Sequence, residues 1–393
     1  MRIYLNLLLI TLIYVASGYL IQPPTPKLTK YNHYEVISPD KFQNFVLGGH
    51  SPGIGSSLAI TSEESDTTKE FLSIADNGSF LISQEGDKIP FVGKISLAEG
   101  VANITAVIPL TGLSNKFDGE ALALEEGARV WIADESKPSI IRYNLATGRP
   151  LATYSPGSGL PEILKNRMDN RGFEAIAFMP DKKIVFALQS PLKLSKEKQT
   201  VANYVRIMRL DPETQVIETF LYPIDQELYK TPLDLKLGGL AAINSHRALI
   251  LEQGKTVDNK QINLIKEIDF IYAKGAKDSS IELEKQESFF SSPVLKPKLV
   301  LNLRDYGWTH NKAEGIALTA KGRTIYVIND IDTKIKSETD PDSDPLKVYL
   351  WEFRFSSPFR LSVFTDLAYR LAPAFLSLFS MMFLMRKRKS KFS

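Results

Sequence analysis

Three glutamates recur in one sequence frame, in which an acid is followed by alternating small and branched apolar residues. The frames are Glu120-Ala121-Leu122-Ala123, Glu174-Ala175-Ile176-Ala177 and Glu314-Gly315-Ile316-Ala317. Carboxylates that lie close together repel one another, so they must share protons, pair with a cationic side chain or hold a metal ion. A fold that brings these three together would therefore offer cation binding and metal-assisted hydrolysis.

A hard, oxygen-liganded divalent cation suits such a group, because the chain has no cysteine and only four histidines. We expect Ca²⁺, with Glu120, Glu174 and Glu314 as catalytic residues and metal ligands. Acids near the ends of other apolar runs are predicted as further ligands: Asp76, Asp134, Glu252 and Asp330, with Glu135 as another contributor.

Two basic or titratable residues near these frames are assigned to the substrate. Arg171 lies three residues before Glu174 and is predicted to act in catalysis and to bind an anionic substrate, or else to neutralise its neighbour. His310 is predicted to bind substrate, although a lone histidine is more often a hydrogen-bonded structural residue.

The elements that would position these residues are short paired strands. Each glutamate frame is followed, after a polar turn, by a second apolar run, and two further copies near Ser57 and Gly239 lack the leading acid. The spacing fits propeller blades of about 40 to 50 residues with loop insertions. We predict an all-β protein, a β-propeller of six blades, with five or seven as alternatives. Alternating runs at 204–210 and 262–268 would supply outer strands or a sixth blade. Inner strands of a propeller start at one axial channel, where the glutamates would meet.

The propeller is predicted to span residues 31–355 as one domain, after a proline-rich lead-in at 19–30. Residues 1–18 have the charged, apolar and small-residue regions of a signal peptide, with an uncleaved anchor as the alternative. Residues 361–393 combine an uncharged helical segment with a basic tail, which predicts a C-terminal membrane anchor; a helix covering the core is the alternative. The absence of cysteine adds to the expectation of a periplasmic or cell-envelope protein.

The charge balance argues against nucleic acid as a partner. Lysine and arginine number 48 against 45 acidic residues, and much of the net charge of +3 lies in the C-terminal tail. The folded body therefore has no basic surface of the kind that binds a phosphate backbone. The expected partners are a small ester or phosphate ligand and the membrane, and the oligomeric state stays open.

In its order of motifs, the chain resembles the phytase-like family described as "esterase-like activity of phytase". The resemblance extends from Gly48 to Asp332. Its carriers include Gly48-Gly49-His50-Ser51, Phe117-Asp118-Gly119-Glu120-Ala121, Asn170-Arg171-Gly172-Phe173-Glu174-Ala175 and Lys312-Ala313-Glu314-Gly315. The resemblance implies an exported or envelope propeller that hydrolyses phosphoric or carboxylic esters. The opening departs from the family pattern, because Ser51-Pro52-Gly53-Ile54 replaces the usual Ser-Gly-Leu.

A serine-nucleophile mechanism is not expected. Gly49-His50-Ser51-Pro52-Gly53 matches the nucleophile-elbow pattern, but Pro52 has no N–H to stabilise an oxyanion. Two functions follow from the sequence. One is a hydrolase of phosphate or other esters with a cation in the propeller channel, phosphate esters being favoured. The other is a non-catalytic, calcium-stabilised propeller that binds a ligand or protein at the membrane surface.

Overall fold

The computed structural model describes residues 24–38, 53–63, 65, 68–76, 79–82, 86–114, 116–194, 201–277, 283, 293–330 and 347–359. The predicted signal peptide, the predicted C-terminal anchor and residues 49–52 of the nucleophile-elbow pattern lie outside these residues. Among the described residues, no helix is long and apolar enough to cross a membrane. Short 3-10 helices occur at Glu162–Asn166, Pro232–Asp234, Phe270–Tyr272 and Leu303–Tyr306.

Apart from these, the regular elements among the described residues are β-strands, which confirms the all-β prediction. In chain order the strands are β1 (Leu28–Ile37), β2 (Ala59–Ser62), β3 (Lys69–Ile74), β4 (Leu81–Ile82), β5 (Lys88–Ile89), β6 (Phe91–Ala98), β7 (Val101–Pro109), β8 (Gly119–Glu125), β9 (Arg129–Asp134), β10 (Ser139–Asn144), β11 (Arg149–Pro156), β12 (Gly159–Leu160), β13 (Phe173–Phe178), β14 (Ile184–Leu188), β15 (Tyr204–Leu210), β16 (Ile217–Pro223), β17 (Leu235–Ala242), β18 (Arg247–Lys255), β19 (Gln261–Asp269), β20 (Lys298–Asn302), β21 (Gly315–Leu318), β22 (Thr324–Ile328) and β23 (Tyr349–Phe355).

The strands are arranged in five antiparallel blades of four. Three blades follow the chain directly: β8-β9-β10-β11, extended at its edge by β12, then β13-β14-β15-β16 and β17-β18-β19-β20. The other two, β2-β3-β6-β7 and β21-β22-β23-β1, are joined into one sheet by a short parallel contact between β1 and β7. We number the blades 1 to 5 from the one that contains β2. Strands β4 and β5 form a separate small hairpin.

The five innermost strands close a ring. Strand β2 contacts β8, β8 contacts β13, β13 contacts β17, β17 contacts β21, and β21 returns to β2. Small side chains such as Ala121 and Ala175 are buried on these strands and allow neighbouring blades to approach. The apolar core consequently lies between blades, and one of its clusters extends across blades 2, 3 and 4.

The described residues form five blades, one of the predicted alternatives, where six were favoured. The alternating runs at 204–210 and 262–268 form β15 and β19, the third strands of blades 3 and 4. They resemble inner strands in sequence because both of their faces pack against neighbours. The five copies of the sequence frame correspond to the five inner strands.

Blade 5 is completed by strands from opposite ends of the domain. Strand β1 pairs antiparallel with β23, with Tyr31 opposite Phe353 and Tyr34 opposite Leu350. Strand β1 begins at Leu28, so its first residues belong to the segment predicted as a lead-in. The ring is therefore closed by hydrogen bonds between the N-terminal strand and the last described strand of the propeller.

Candidate functional site

The repeated glutamates lie where the inner strands leave regular pairing. In β8 the register shifts from Gly119 to Ala121 and leaves Glu120 without an opposite residue. Strand β13 has the same irregularity at Glu174, and Glu314 comes immediately before β21. A β-bulge of this kind re-aims a side chain that strand alternation would send elsewhere.

The structure brings Glu120, Glu174 and Glu314 together. One carboxylate oxygen of each lies within 4.8 Å of one of each of the others. Glu174 and Glu314 are buried, and Glu120 is 9% exposed. We call these three residues the axial carboxylates. Their distance from one another fits a shared cation, because oxygen ligands of one ion necessarily lie this close together.

A second group shares Glu120 with the first. Oxygens of Asp118, Glu120 and Glu135 also lie within 4.8 Å of one another. The Gly172 N–H donates to Glu135 Oε1 at 2.9 Å, and the Glu135 N–H donates to the carbonyl of Asp118 at 2.9 Å. Asp118 was not selected from the sequence, although it stands two residues before Glu120 in the same motif.

Burial and mutual repulsion change the acidity of the axial carboxylates. Burial raises the pKa of Glu314 to about 8; Lys312 opposes the rise and Asp330 adds to it. Burial, then the charges of Glu174 and Glu314, raise the pKa of Glu120 well above its ordinary value. The pKa of Glu174 is raised in the same way, by burial first and then by Glu314. The group therefore gains much from a cation that allows all three to ionise.

The glutamate position of the sequence frame has a buried oxygen without a hydrogen bond in two blades, within the described part of the chain. The two oxygens are Glu314 Oε2 and Ser56 Oγ. In the sequence frame, Ser56 takes the place in blade 1 that Glu120 takes in blade 2. Glu174 is better supplied, since Gln189 Nε2 donates to its Oε1 at 2.6 Å. Unpaired buried oxygens are costly, and a bound cation would satisfy them.

Three cationic side chains lie near the acids: Arg171, Lys236 and Lys312. Lys312 Nζ donates to Asp330 Oδ2 at 2.9 Å and lies 3.6 Å from Glu314 Oε1. Arg171 Nη1 donates to Ser190 Oγ at 2.9 Å, and burial lowers the pKa of Arg171. The two lysines were not assigned from the sequence, although Lys312 is part of the family-like frame and Lys236 precedes the Gly239 frame.

The other predicted ligands are placed differently. Asp76 and Asp330 are close enough to Glu314 to raise its pKa, but neither belongs to the two carboxylate groups. Asp134 closes a turn, because its Oδ1 accepts from the N–H groups of Asp118 and Ser136 at 3.2 and 3.0 Å. Burial raises the pKa of Asp134 to about 6.

Glu252 lies in another environment altogether. Its carboxylate accepts from Lys266 Nζ at 2.7 and 2.8 Å, from Tyr222 at 2.5 Å and from Tyr229 at 2.9 Å. Within the described residues, it does not belong to either carboxylate group. The predicted ligand Glu252 is therefore a carboxylate that already has partners from its own blade and the one before it.

His310 packs in the aromatic part of blade 5. Its ring stacks on Tyr349 at 5.1 Å between centroids and meets Trp308 edge-on at 5.2 Å. The residue is 4% exposed, and its carbonyl accepts from Trp308 Nε1 at 2.8 Å. This packing is typical of a structural histidine and gives no support to a substrate contact.

A family model described as "Phytase-like: Esterase-like activity of phytase" matches residues 53–332, well over half of the chain. The matched region includes all three axial carboxylates, both carboxylate groups and the three nearby cations. No curated protein matches the chain.

Solved structures with a similar shape include three glycoside hydrolases. The α-L-arabinofuranosidase PaAbf62A from Podospora anserina has a TM-score of 0.46 at 8% identity, over 85% of this chain and 99% of that one. A thermostable family-43 glycoside hydrolase gives 0.43 at 8%, over 79% and 95%. A putative glycosidase from Bacteroides thetaiotaomicron gives 0.41 at 12%, over 86% and 97%. At these scores the likeness carries no argument, and the propeller assignment rests on the sheet connectivity.

Proposed function

The chain belongs to the phytase-like family, and from that premise we propose that it hydrolyses phosphate esters with a divalent cation, Ca²⁺, held in the propeller channel. The observation that carries the proposal is the convergence of three buried carboxylates from blades 2, 3 and 5 within 4.8 Å. Within the described residues, the nearby Lys312 is divided between Glu314 and Asp330 and so does not neutralise the whole group.

The donor set fits the ion. Glu120, Glu174 and Glu314 would hold it, and all of their ligand atoms are oxygens, which Ca²⁺ prefers. Among these oxygens, Glu314 Oε2 has no hydrogen bond within the described residues, so it is available to bind the ion. When bound, the cation would supply Lewis-acid polarisation of the phosphoryl group.

The chain's own residues would divide the remaining tasks. Glu135 and Asp118 hold the turn beside Glu120, because the Glu135 carboxylate accepts from the Gly172 N–H and the Glu135 N–H donates to the carbonyl of Asp118. Arg171 is fixed by Ser190 and has further N–H groups with which to orient an anionic substrate. Gln189 positions the carboxylate of Glu174.

We also propose that the protein is exported to the periplasm or cell envelope and held at a membrane by its C-terminal segment. Support comes from the sequence alone: the signal-like residues 1–18 and the apolar and basic residues 361–393. Protease digestion of cells in which only the outer membrane is permeabilised, compared with fully lysed cells, tests this location. Protection of the propeller until the cells are lysed would contradict it.

The test of the function uses the full-length protein and the substitutions Glu120→Gln, Glu174→Gln and Glu314→Gln together. Gln keeps the size of each side chain and removes its charge, so the triple variant should lose bound metal and hydrolysis of phosphate esters. Metal content by mass spectrometry and turnover over an ester panel measure this. Chelation should abolish turnover, and added Ca²⁺ should restore it. Full metal content in the triple variant would refute the site.

The alternative function gives a different result in the same experiment. A calcium-stabilised binding propeller would bind metal through the same carboxylates, fold normally and hydrolyse no ester in the panel. Bound metal without turnover would therefore favour a ligand- or protein-binding module over a hydrolase.

A further inference from the structure

Blade 4 differs from its neighbours at the level of the axial carboxylates. Where blades 2, 3 and 5 have glutamate, its inner strand β17 has Gly238 followed by Gly239. A Cβ atom on Gly239 would lie 2.3 Å from the carbonyl oxygen of Glu314, and one on Gly238 would lie 2.9 Å from that of Ala313. The backbones of blades 4 and 5 are too close at this point to admit a side chain.

The nearest charged side chain that β17 supplies is Lys236, two residues earlier. On one side, the Leu237 N–H donates to the carbonyl of Gln189 at 2.9 Å, and the side chain of Gln189 holds Glu174. On the other side, Lys236 is paired in register with Gln253, whose Oε1 accepts from the N–H of Ala313 at 2.8 Å. Lys236 therefore lies between the residues that position Glu174 and Glu314.

The side chain of Lys236 is half-buried, and its ammonium group forms no hydrogen bond or ion pair with the residues that the structure describes. Burial lowers the pKa of Lys236, and the charge of Arg171 lowers it further, while Glu314 and Glu174 act in the opposite direction. The two cations are thus close enough to repel each other. Because burial and the neighbouring cations outweigh the two carboxylates, the charged form of Lys236 is disfavoured, and an arriving anion would stabilise it.

Arg171 is held in a fixed position beside the start of β17. Its Nη1 donates to Ser190 Oγ at 2.9 Å and to the carbonyl of Leu233 at 3.2 Å. A guanidinium has five N–H donors in a planar fork that matches phosphate oxygens. Lys312 is unlike these two cations, because it already donates to Asp330.

We propose that Lys236 and Arg171 form an anion subsite beside the axial carboxylates, which binds the phosphate group of the substrate. The identity of the ligand rests on the proposed function. The subsite adds a basis for selection: a phosphate monoester places negatively charged oxygens against both cations, whereas a neutral carboxylic ester does not. Lys236 would be a substrate-binding residue that the sequence frames did not reveal.

The test measures binding of inorganic phosphate to the full-length, calcium-loaded protein by calorimetry, below the concentration at which calcium phosphate precipitates. Lys236→Met keeps the length of the side chain and removes the charge, and it should weaken phosphate binding at least tenfold. Lys236→Arg should retain most of the binding. The matched control is Lys255→Met, an exposed lysine at the end of β18 in the same blade, which should bind as wild type does.

Thermal unfolding of the phosphate-free protein separates binding from a structural role. If Lys236 lacks a counterion, Lys236→Met should unfold at the same temperature as wild type or higher. A lower unfolding temperature together with unchanged phosphate binding would overturn the proposal, because Lys236 would then be a structural counterion of the carboxylates.

Failure of the subsite and failure of the proposed function give different results. Phosphate binding that is equal in wild type and Lys236→Met refutes the subsite, whatever the enzyme hydrolyses. Weakened phosphate binding in a protein that hydrolyses no ester supports the subsite and refutes the hydrolase. If both hold, Lys236→Met should raise KM for 4-nitrophenyl phosphate and leave KM for 4-nitrophenyl acetate unchanged.

Discussion

Buried carboxylates occur in two contrasting environments in this propeller. Glu252 on β18 is surrounded by donors from its own blade and the one before it, namely Lys266, Tyr222 and Tyr229. The axial carboxylates lie mainly beside one another, and one of their oxygens has no described partner. Similar burial therefore has different consequences. The carboxylate of Glu252 has its hydrogen-bond donors without a ligand, whereas the axial carboxylates do not.

Two other buried acids, away from the channel, repeat the first environment. Burial acts to raise the pKa of Glu125, but hydrogen bonds from Arg142 and Trp131 outweigh it and lower the pKa overall. The same holds for Glu352, where burial is outweighed by hydrogen bonds from Arg354 and others. Acids within the blades therefore contribute to stability, whereas those at the channel are held at a cost, as functional groups often are.

The largest expected effect comes from removing the charge of Glu252, whose donors are all in place. Glu252→Gln removes the charge that Lys266 needs and should destabilise the protein by about 3 kcal/mol, since it leaves a cation without its buried partner. Chemical denaturation measures the loss. Bound metal should stay at the wild-type level; a loss of metal in this variant would show that the two environments are coupled.

The next effect compares how calcium binding at the axial carboxylates and at Glu252 changes stability. Calcium at about 100 times its Kd should stabilise the wild-type protein by about 2.7 kcal/mol. Thermal unfolding with and without chelator measures this. Glu314→Gln should abolish most of the response, and Glu252→Gln should keep it, as shifts relative to each variant's own metal-free protein. An equal response in both variants would contradict the distinction.

The last effect is a pH dependence confined to the metal-free protein. The pKa of Glu314 is raised from an ordinary value of 4.5 to about 8, so the folded state binds the proton more tightly than the unfolded state. Its contribution to stability is therefore fully present below about pH 4.5 and is lost as the pH rises through about 8. Glu314→Gln should remove this loss and be more stable than wild type at pH 9, by up to about 1.4 kcal/mol for each unit of the pKa difference. Parallel pH profiles of denaturation for the two proteins would contradict the assignment.

The inner strands and the convergence of their glutamates could be predicted from the sequence, because each repeated frame indicates a strand and places its acid at the same position relative to that strand. It overestimated the number of blades, since third strands such as β15 are buried on both faces and read like inner ones. It also could not separate Glu252 from the axial carboxylates, because an acid near a strand end gives no sign of which neighbours will supply donors.

The cations were harder to predict for a different reason. Lys236 stands in no repeated frame, and its importance depends on two glycines that bring blades 4 and 5 together. Only the ring of strands places it between residues that hold Glu174 and Glu314. A contact created by closure has no counterpart in local sequence.

The pairing of β1 with β23 has a consequence for how the protein folds. Tyr31 and Phe353 are neighbours in the sheet although nearly the whole domain separates them along the chain. Bringing such distant segments together costs chain entropy, which is offset only when the contacts between them have formed. We therefore expect the pairing of β1 with β23 in blade 5 to form last. The ring of blades would then stay unclosed during synthesis until β23 has emerged.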